Sequence, residues 1–119
     1  MDLTNARDIK ALLEENGFHF SKAKGQNFLT ASWVPRRIAE EAGVDRDTGV
    51  LEVGPGIGPL TEQLCLRAGK VLAVELDQRL KPILMKTVGR FDTLELRFTD
   101  VMDWIWPQPS GTPFPACDP

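Results

Sequence analysis

The segment Glu52-Val53-Gly54-Pro55-Gly56-Ile57-Gly58 constrains the fold of this chain more than any other stretch. It continues from Val50-Leu51-Glu52-Val53, a short and mostly apolar run bounded by Gly49 and Gly54, which is the pattern of a buried strand. A helix is expected next, roughly from Pro59 to Ala68, with Gly69 as its stop. Glycines at such a strand-to-helix turn let the backbone bend sharply and place no Cβ in the way of an approaching ligand. The alternation then repeats. Val71 to Val74 reads as a second strand, and Leu80 to Val88 as a helix with Pro82 in its first turns or at a kink. Leu94, Leu96 and Phe98 alternate with Glu95 and Arg97 as a third strand.

Strand, helix, strand, helix, strand predicts βαβ units, and right-handed crossovers lay the three strands parallel in an open sheet, here with helices expected on both faces. The fold class is α/β, half of a Rossmann-like fold. An amphipathic helix is expected ahead of it over about Thr4 to Asn16, with Thr4 or Asn5 as N-cap and Ala6, Ile9, Leu12 and Leu13 on one stripe. After a link from Phe18 to Leu29, Ser32 can cap a second helix over Trp33 to Ala42, with Val34, Ile38, Ala39 and Ala42 facing inward. Beyond Asp100 the pattern collapses. Trp104, Trp106, Pro107, Pro109, Pro113 and Pro115 crowd together in a way that no helix or central strand accommodates, so 107–119 is expected to be a disordered tail.

The glycine spacing argues about ligands. A dinucleotide fingerprint, G-x-G-x-x-G, would put its third glycine on Pro59, so that match fails. The spacing is instead G-x-G-x-G, with Glu52 two positions ahead. Negative potential there repels a pyrophosphate and suits a ligand with an adenosine and a charged amino-acid end, which points to S-adenosylmethionine; a tight strand-to-helix connection is the bland alternative. Two more acids favour the ligand. Glu75 ends the second strand, where a carboxylate can accept from vicinal ribose hydroxyls, and Asp100 ends the third, where it can accept from the adenine amine. Ligands of open α/β sheets lie across the carboxyl ends of the strands. The alternatives are that Glu75 or Asp77 caps the next helix and that Asp100 is an ordinary turn residue; Asp77 is expected to cap.

Composition narrows the rest. With 42% hydrophobic and 26% charged residues the chain has the make-up of a soluble globular domain. No apolar run approaches the roughly 20 residues of a membrane-spanning helix, and no leader pattern is seen, so a cytoplasmic location is the default expectation. Cys65 and Cys117 are far apart and lack nearby histidines, so no metal site or disulfide is suggested, and Cys65 reads as a helix core residue. A net charge of −3 counts mildly against a nucleic-acid partner.

Three segments together resemble one family, the small-subunit ribosomal RNA adenine N6,N6-dimethyltransferases: Phe20-Ser21-Lys22-Ala23-Lys24-Gly25-Gln26-Asn27-Phe28-Leu29, Val50 through Thr61, and Val74-Glu75-Leu76-Asp77. The resemblance runs from about Asp8 to Val101. It implies the N-terminal half of a Rossmann-like S-adenosylmethionine-dependent methyltransferase fold, three parallel strands with helices preceded by an N-terminal helix. It also implies that Asn27 and Leu29 contact the cofactor, Gly54 and Gly56 form the loop against it, Glu75 holds the ribose and Asp100 meets the adenine. By the same resemblance the reaction is S-adenosylmethionine-dependent dimethylation of two adjacent adenines, and the partner is small-subunit ribosomal RNA or the immature small ribosomal subunit. Residues 1–30 then form the N-terminal helix and cofactor-contacting segment, and 31–106 a partial methyltransferase domain. The N-L-P-Y motif with which family members hold the acceptor adenine has no match here, so no catalytic residue is assigned and the chain is expected to carry only the cofactor-binding half. Two alternatives remain: a non-catalytic remnant that at most binds S-adenosylmethionine, and the large-subunit branch of the family.

Overall fold

The computed structural model describes residues 2–18 and 33–105. The segment with Asn27 and Leu29, the Ser32 cap and the proline-rich 107–119 lie outside these. The elements are α1 (Ala6–Glu15), α2 (Val34–Glu41), β1 (Gly49–Val53), α3 (Pro59–Arg67), β2 (Lys70–Val74), a 3-10 turn (Gln78–Leu80) running into α4 (Lys81–Thr87), β3 (Leu94–Arg97) and α5 (Met102–Ile105). Pro82 falls in the first turn of α4, where its missing N–H has no partner to lose.

β1, β2 and β3 pair in that spatial order, all parallel, with Gly49 opposite Lys70 and Val71 opposite Leu94. The register puts Val50, Val71 and Leu94 in one row across one face, with Leu96 further along it. These are the strand residues that enter the apolar clusters. One cluster joins Ile9, Leu12 and Leu13 of α1 to Ile83 and Leu84 of α4, with Leu94 and Leu96 against it. The other joins Ala39 of α2 to Leu64 and Cys65 of α3 and to Val71, with Val50 and Leu94 packed on it. On the opposite face Leu51 and Val53 are 51% and 58% exposed.

Among the described residues α1 to α4 therefore pack on one face, where helices on both were expected. The cause is geometric. Two right-handed crossovers that step in the same direction, β1 to β2 and β2 to β3, must place α3 and α4 on the same side, and helices reach the second face only where the strand order reverses.

α1 starts on Asn5, whose side chain accepts from the Arg7 and Asp8 amides at 2.9 and 3.2 Å. It ends at Gly17, with φ +78, beyond which the Phe18 amide returns to the Leu13 carbonyl at 2.9 Å. Ile9, Leu12 and Leu13 are buried as expected, but Ala6 is exposed, and Leu3 and Phe18 from outside the helix complete the cluster. In α2 only Pro35 and Ala39 are buried; Ile38 is 47% exposed and Ala42 is exposed, contrary to the inward stripe. A helix this short meets its neighbour over one turn, and the pair four residues apart fills that contact. Its outer face is tied by Arg36–Glu40 and Arg37–Glu41 pairs. α5 was not expected. Its first amide, that of Met102, donates to the Asp100 carboxylate at 2.9 Å.

Candidate functional site

The loop from Gly54 to Gly58 leaves the carboxyl end of β1 and runs into α3. Gly54, Gly56 and Gly58 have φ of +72, +63 and +100, a left-handed conformation that side chains resist. At Gly58 space is also short: a Cβ would lie 3.0 Å from Val88 Cγ1 and 3.1 Å from Thr87 Oγ1. The loop is bound to β2 at two points. The Gly54 amide donates to the Val74 carbonyl at 2.9 Å, and the Gly56 amide to Glu75 Oε1 at 3.1 Å.

Glu75 is 8% exposed at the end of β2, and its second oxygen accepts from the Asp77 amide at 3.0 Å. Asp77 caps the 3-10 turn as expected, accepting from the Arg79 amide at 3.0 Å and pairing with the Arg79 guanidinium at 2.7 Å. The hydrogen bond from Arg79 holds the Asp77 carboxyl below its usual range.

Glu52, inside β1, is 9% exposed, and the fully buried Thr61 hydroxyl of α3 donates to its Oε1. Burial pushes the Glu52 carboxyl above its ordinary value of 4.5; the Thr61 hydrogen bond opposes the shift and the Glu75 charge adds to it. Between the ordinary value and the raised one the folded chain holds more proton than the unfolded chain, so stability falls as pH rises through that window and the penalty is complete above it. Glu52→Gln is expected to melt above the parent near neutral pH and together with it below the carboxylate range. Parallel thermal melts across that range check this, and a constant gap at every pH would refute it.

Gly56 and Glu75 are thus hydrogen-bonded to each other, and Gly54 is tied to Val74, the residue before Glu75. Asp100 lies three residues past the end of β3, exposed, with its carboxylate on the Met102 amide, the turn arrangement weighed as its alternative. Two residues went unsingled in the sequence: Thr61, and Thr87 of α4, whose buried hydroxyl donates to the Ile57 carbonyl at 2.8 Å. The usable signal was a polar residue on an otherwise apolar helix stripe. Cys65 is buried as expected, and burial pushes its thiol up to about 11. Among the described residues no cluster of His, Cys, Asp and Glu could hold a metal ion.

The family model for ribosomal RNA adenine dimethylase matches residues 17–111. The chain belongs to that family. Ribosomal RNA small subunit methyltransferase A of Enterococcus faecalis is 48% identical over 93 residues, 78% of this chain and 32% of the relative. The Bacillus licheniformis protein of the same name is 48% identical over 101 residues, 85% of this chain and 35% of its own. The chain thus spans about a third of the length of these curated relatives. Among solved structures, the 23S rRNA methyltransferase ErmE aligns with a TM-score of 0.61 at 37% identity, covering 70% of this chain and 34% of that one. The Aquifex aeolicus tRNA (m1A58) methyltransferase TrmI aligns with a TM-score of 0.60 at 22% identity, covering 77% of this chain and 37% of that one, which shows the shared fold. The fold of this chain is therefore the one reached from the strand and glycine pattern, a partial Rossmann-like domain of the methyltransferase type.

Proposed function

We propose that this chain carries the S-adenosylmethionine-binding part of a small-subunit ribosomal RNA adenine N6,N6-dimethyltransferase. The observation that carries the reading is the cluster at the carboxyl ends of β1 and β2, in which Gly56 and Glu75 meet across a left-handed glycine loop. The residues fit this cofactor. Glu52 and Glu75 are both buried carboxylates, close enough for the Glu75 charge to raise the pKa of Glu52, which disfavours a pyrophosphate and favours a ligand with a cationic sulfonium and ammonium. In this reading Glu75 accepts from the ribose hydroxyls, Asp100 from the adenine amine, and Gly54 and Gly56 give the cofactor close access to the backbone. Asn27 and Leu29 are assigned by family resemblance.

S-adenosylmethionine supplies a methyl group on a sulfonium, whose departure as a neutral thioether needs little acid–base help. What this chain contributes is orientation: a fixed loop, Glu75 at the end of β2 and Asp100 in the turn after β3, which hold the adenosine in one place. No residue here is assigned to the acceptor adenine. The RNA partner is the small-subunit ribosomal RNA or an immature small subunit, and the setting the cytoplasm. Relatives with the small-subunit name are 43% to 48% identical, against 37% for the 23S enzyme, which supports the small-subunit branch.

Calorimetric titration of the purified chain with S-adenosylmethionine tests the proposal. Saturable binding is expected, weakened about fivefold by Asp100→Ala, the equivalent of one hydrogen bond of about 1 kcal/mol. A folded chain that gives no binding heat, or that binds a nicotinamide dinucleotide instead, overturns it.

A further inference from the structure

We propose that Thr87, at the end of α4, is a positioning residue for the cofactor loop. The inference rests on the reading of that loop as the S-adenosylmethionine site. Thr87 is 4% exposed, and its one hydroxyl proton has two carbonyls in range: Ile57 at 2.8 Å, thirty residues away, and Leu84 of its own helix at 3.5 Å. The shorter bond wins, so the proton leaves the helix and goes to the middle of the glycine loop. Ile57 itself is 1% exposed, with its side chain in the cluster that holds Leu84 and Val88. Its carbonyl is therefore buried, and Thr87 gives it a donor.

The neighbouring contacts make the end of α4 a platform for the loop. Gly58 sits close against Val88 and Thr87, where a Cβ would lie 3.0 and 3.1 Å from their side chains. Arg90 donates to the Thr87 carbonyl at 2.6 Å and pairs with Glu62 in the first turn of α3 at 2.9 Å. One side of the loop is thus tied to β2 through Glu75, and the other to α4 through Thr87. Rotating the Ile57 peptide would break the second tie and reorient the glycine on either side of it. A ligand that needs the loop in one shape meets that shape already formed, which saves the cost of ordering it on binding.

Thr87→Val keeps the shape of the side chain and removes only the hydroxyl; Thr87→Ser restores it. Amide hydrogen exchange of the ligand-free chain reads the loop directly, and S-adenosylhomocysteine titration reads its consequence. Exchange at Gly54, Gly56 and Gly58 is expected to quicken roughly three- to tenfold in Thr87→Val, with the amides of β2 unchanged and Thr87→Ser close to the parent. Affinity for S-adenosylhomocysteine falls by a similar factor. Unchanged loop exchange overturns the inference whether or not the ligand binds. So does an equal rise in every element, because that would make the hydroxyl a general support of the fold. A parent chain that binds no S-adenosylhomocysteine refutes the cofactor reading, while the exchange result still decides whether Thr87 sets the loop.

Discussion

Gly69→Ala is expected to cost on the order of 3 kcal/mol and to lower the thermal midpoint by roughly 10 °C. Gly69 joins α3 to β2, and a Cβ there would lie 2.0 Å from the Arg46 carbonyl oxygen and 3.0 Å from its carbon. The obstacle is backbone, and that backbone is held. The Arg46 guanidinium donates to the Ala68 and Leu66 carbonyls at 2.9 and 3.0 Å, closing the end of α3, while the Gly69 amide donates to the Thr48 carbonyl at 3.1 Å. Relief would require moving the approach to β1 away from the approach to β2. Gly49→Ala is the matched control, since Gly49, like Gly69, does not have a left-handed backbone, but a Cβ there meets open space. Equal melting of the two variants would show that the close approach at Gly69 is not a real constraint.

Glu75→Ala should abolish measurable S-adenosylmethionine binding, a loss of at least about a hundredfold. Two effects combine. The carboxylate accepts from the amides of Gly56 and Asp77, so its removal frees the glycine loop from β2. It also removes the proposed acceptor for the ribose hydroxyls, and hydrogen bonds to a charged group contribute about 1.5–3 kcal/mol. Glu75→Gln separates the two, because it keeps an acceptor for the Gly56 amide but turns an amide donor toward either Asp77 or the ligand. An intermediate affinity is expected. Titration of both variants beside a thermal melt makes the comparison, and a Glu75→Ala chain that binds within threefold of the parent would remove the ribose role.

Much of the geometry of the glycine loop and its strand-end acid could be read from local sequence because its determinants are local. A strand end, a run of alternate glycines and an acid at the next strand end follow one another in the chain, and each demands its own backbone state. Asp77 was legible for the same reason, since a cap acts on the amides just after it. The side of the sheet on which the helices lie was not, because it depends on the direction in which successive strands are added, a property of the whole topology. Ile38 and Ala42 show the limit of periodicity. It locates the apolar stripe of α2 but not how much neighbour is there to cover it. Thr61 and Thr87 were hidden for another reason: their partners, Glu52 and Ile57, come into reach only when α3 and α4 dock. α5 was not legible because Trp104 inside it and Trp106 and the prolines just after it dominate the composition, while its first amide depends on the Asp100 carboxylate.

The strand order has a consequence in time as well as in space. Each strand pairs with the next one made, so no pairing waits for a distant part of the chain. On a ribosome, where the N-terminal side emerges first, β1, α3 and β2 can close as a unit before β3 exists. The glycine loop then acquires its ties in sequence: to Val74 and Glu75 as β2 docks, and to Thr87 only once α4 has been synthesised. A nascent chain halted between β2 and α4 would hold a loop fastened along one side, and the last turn of α4 is the point in synthesis at which the loop gains its second tie.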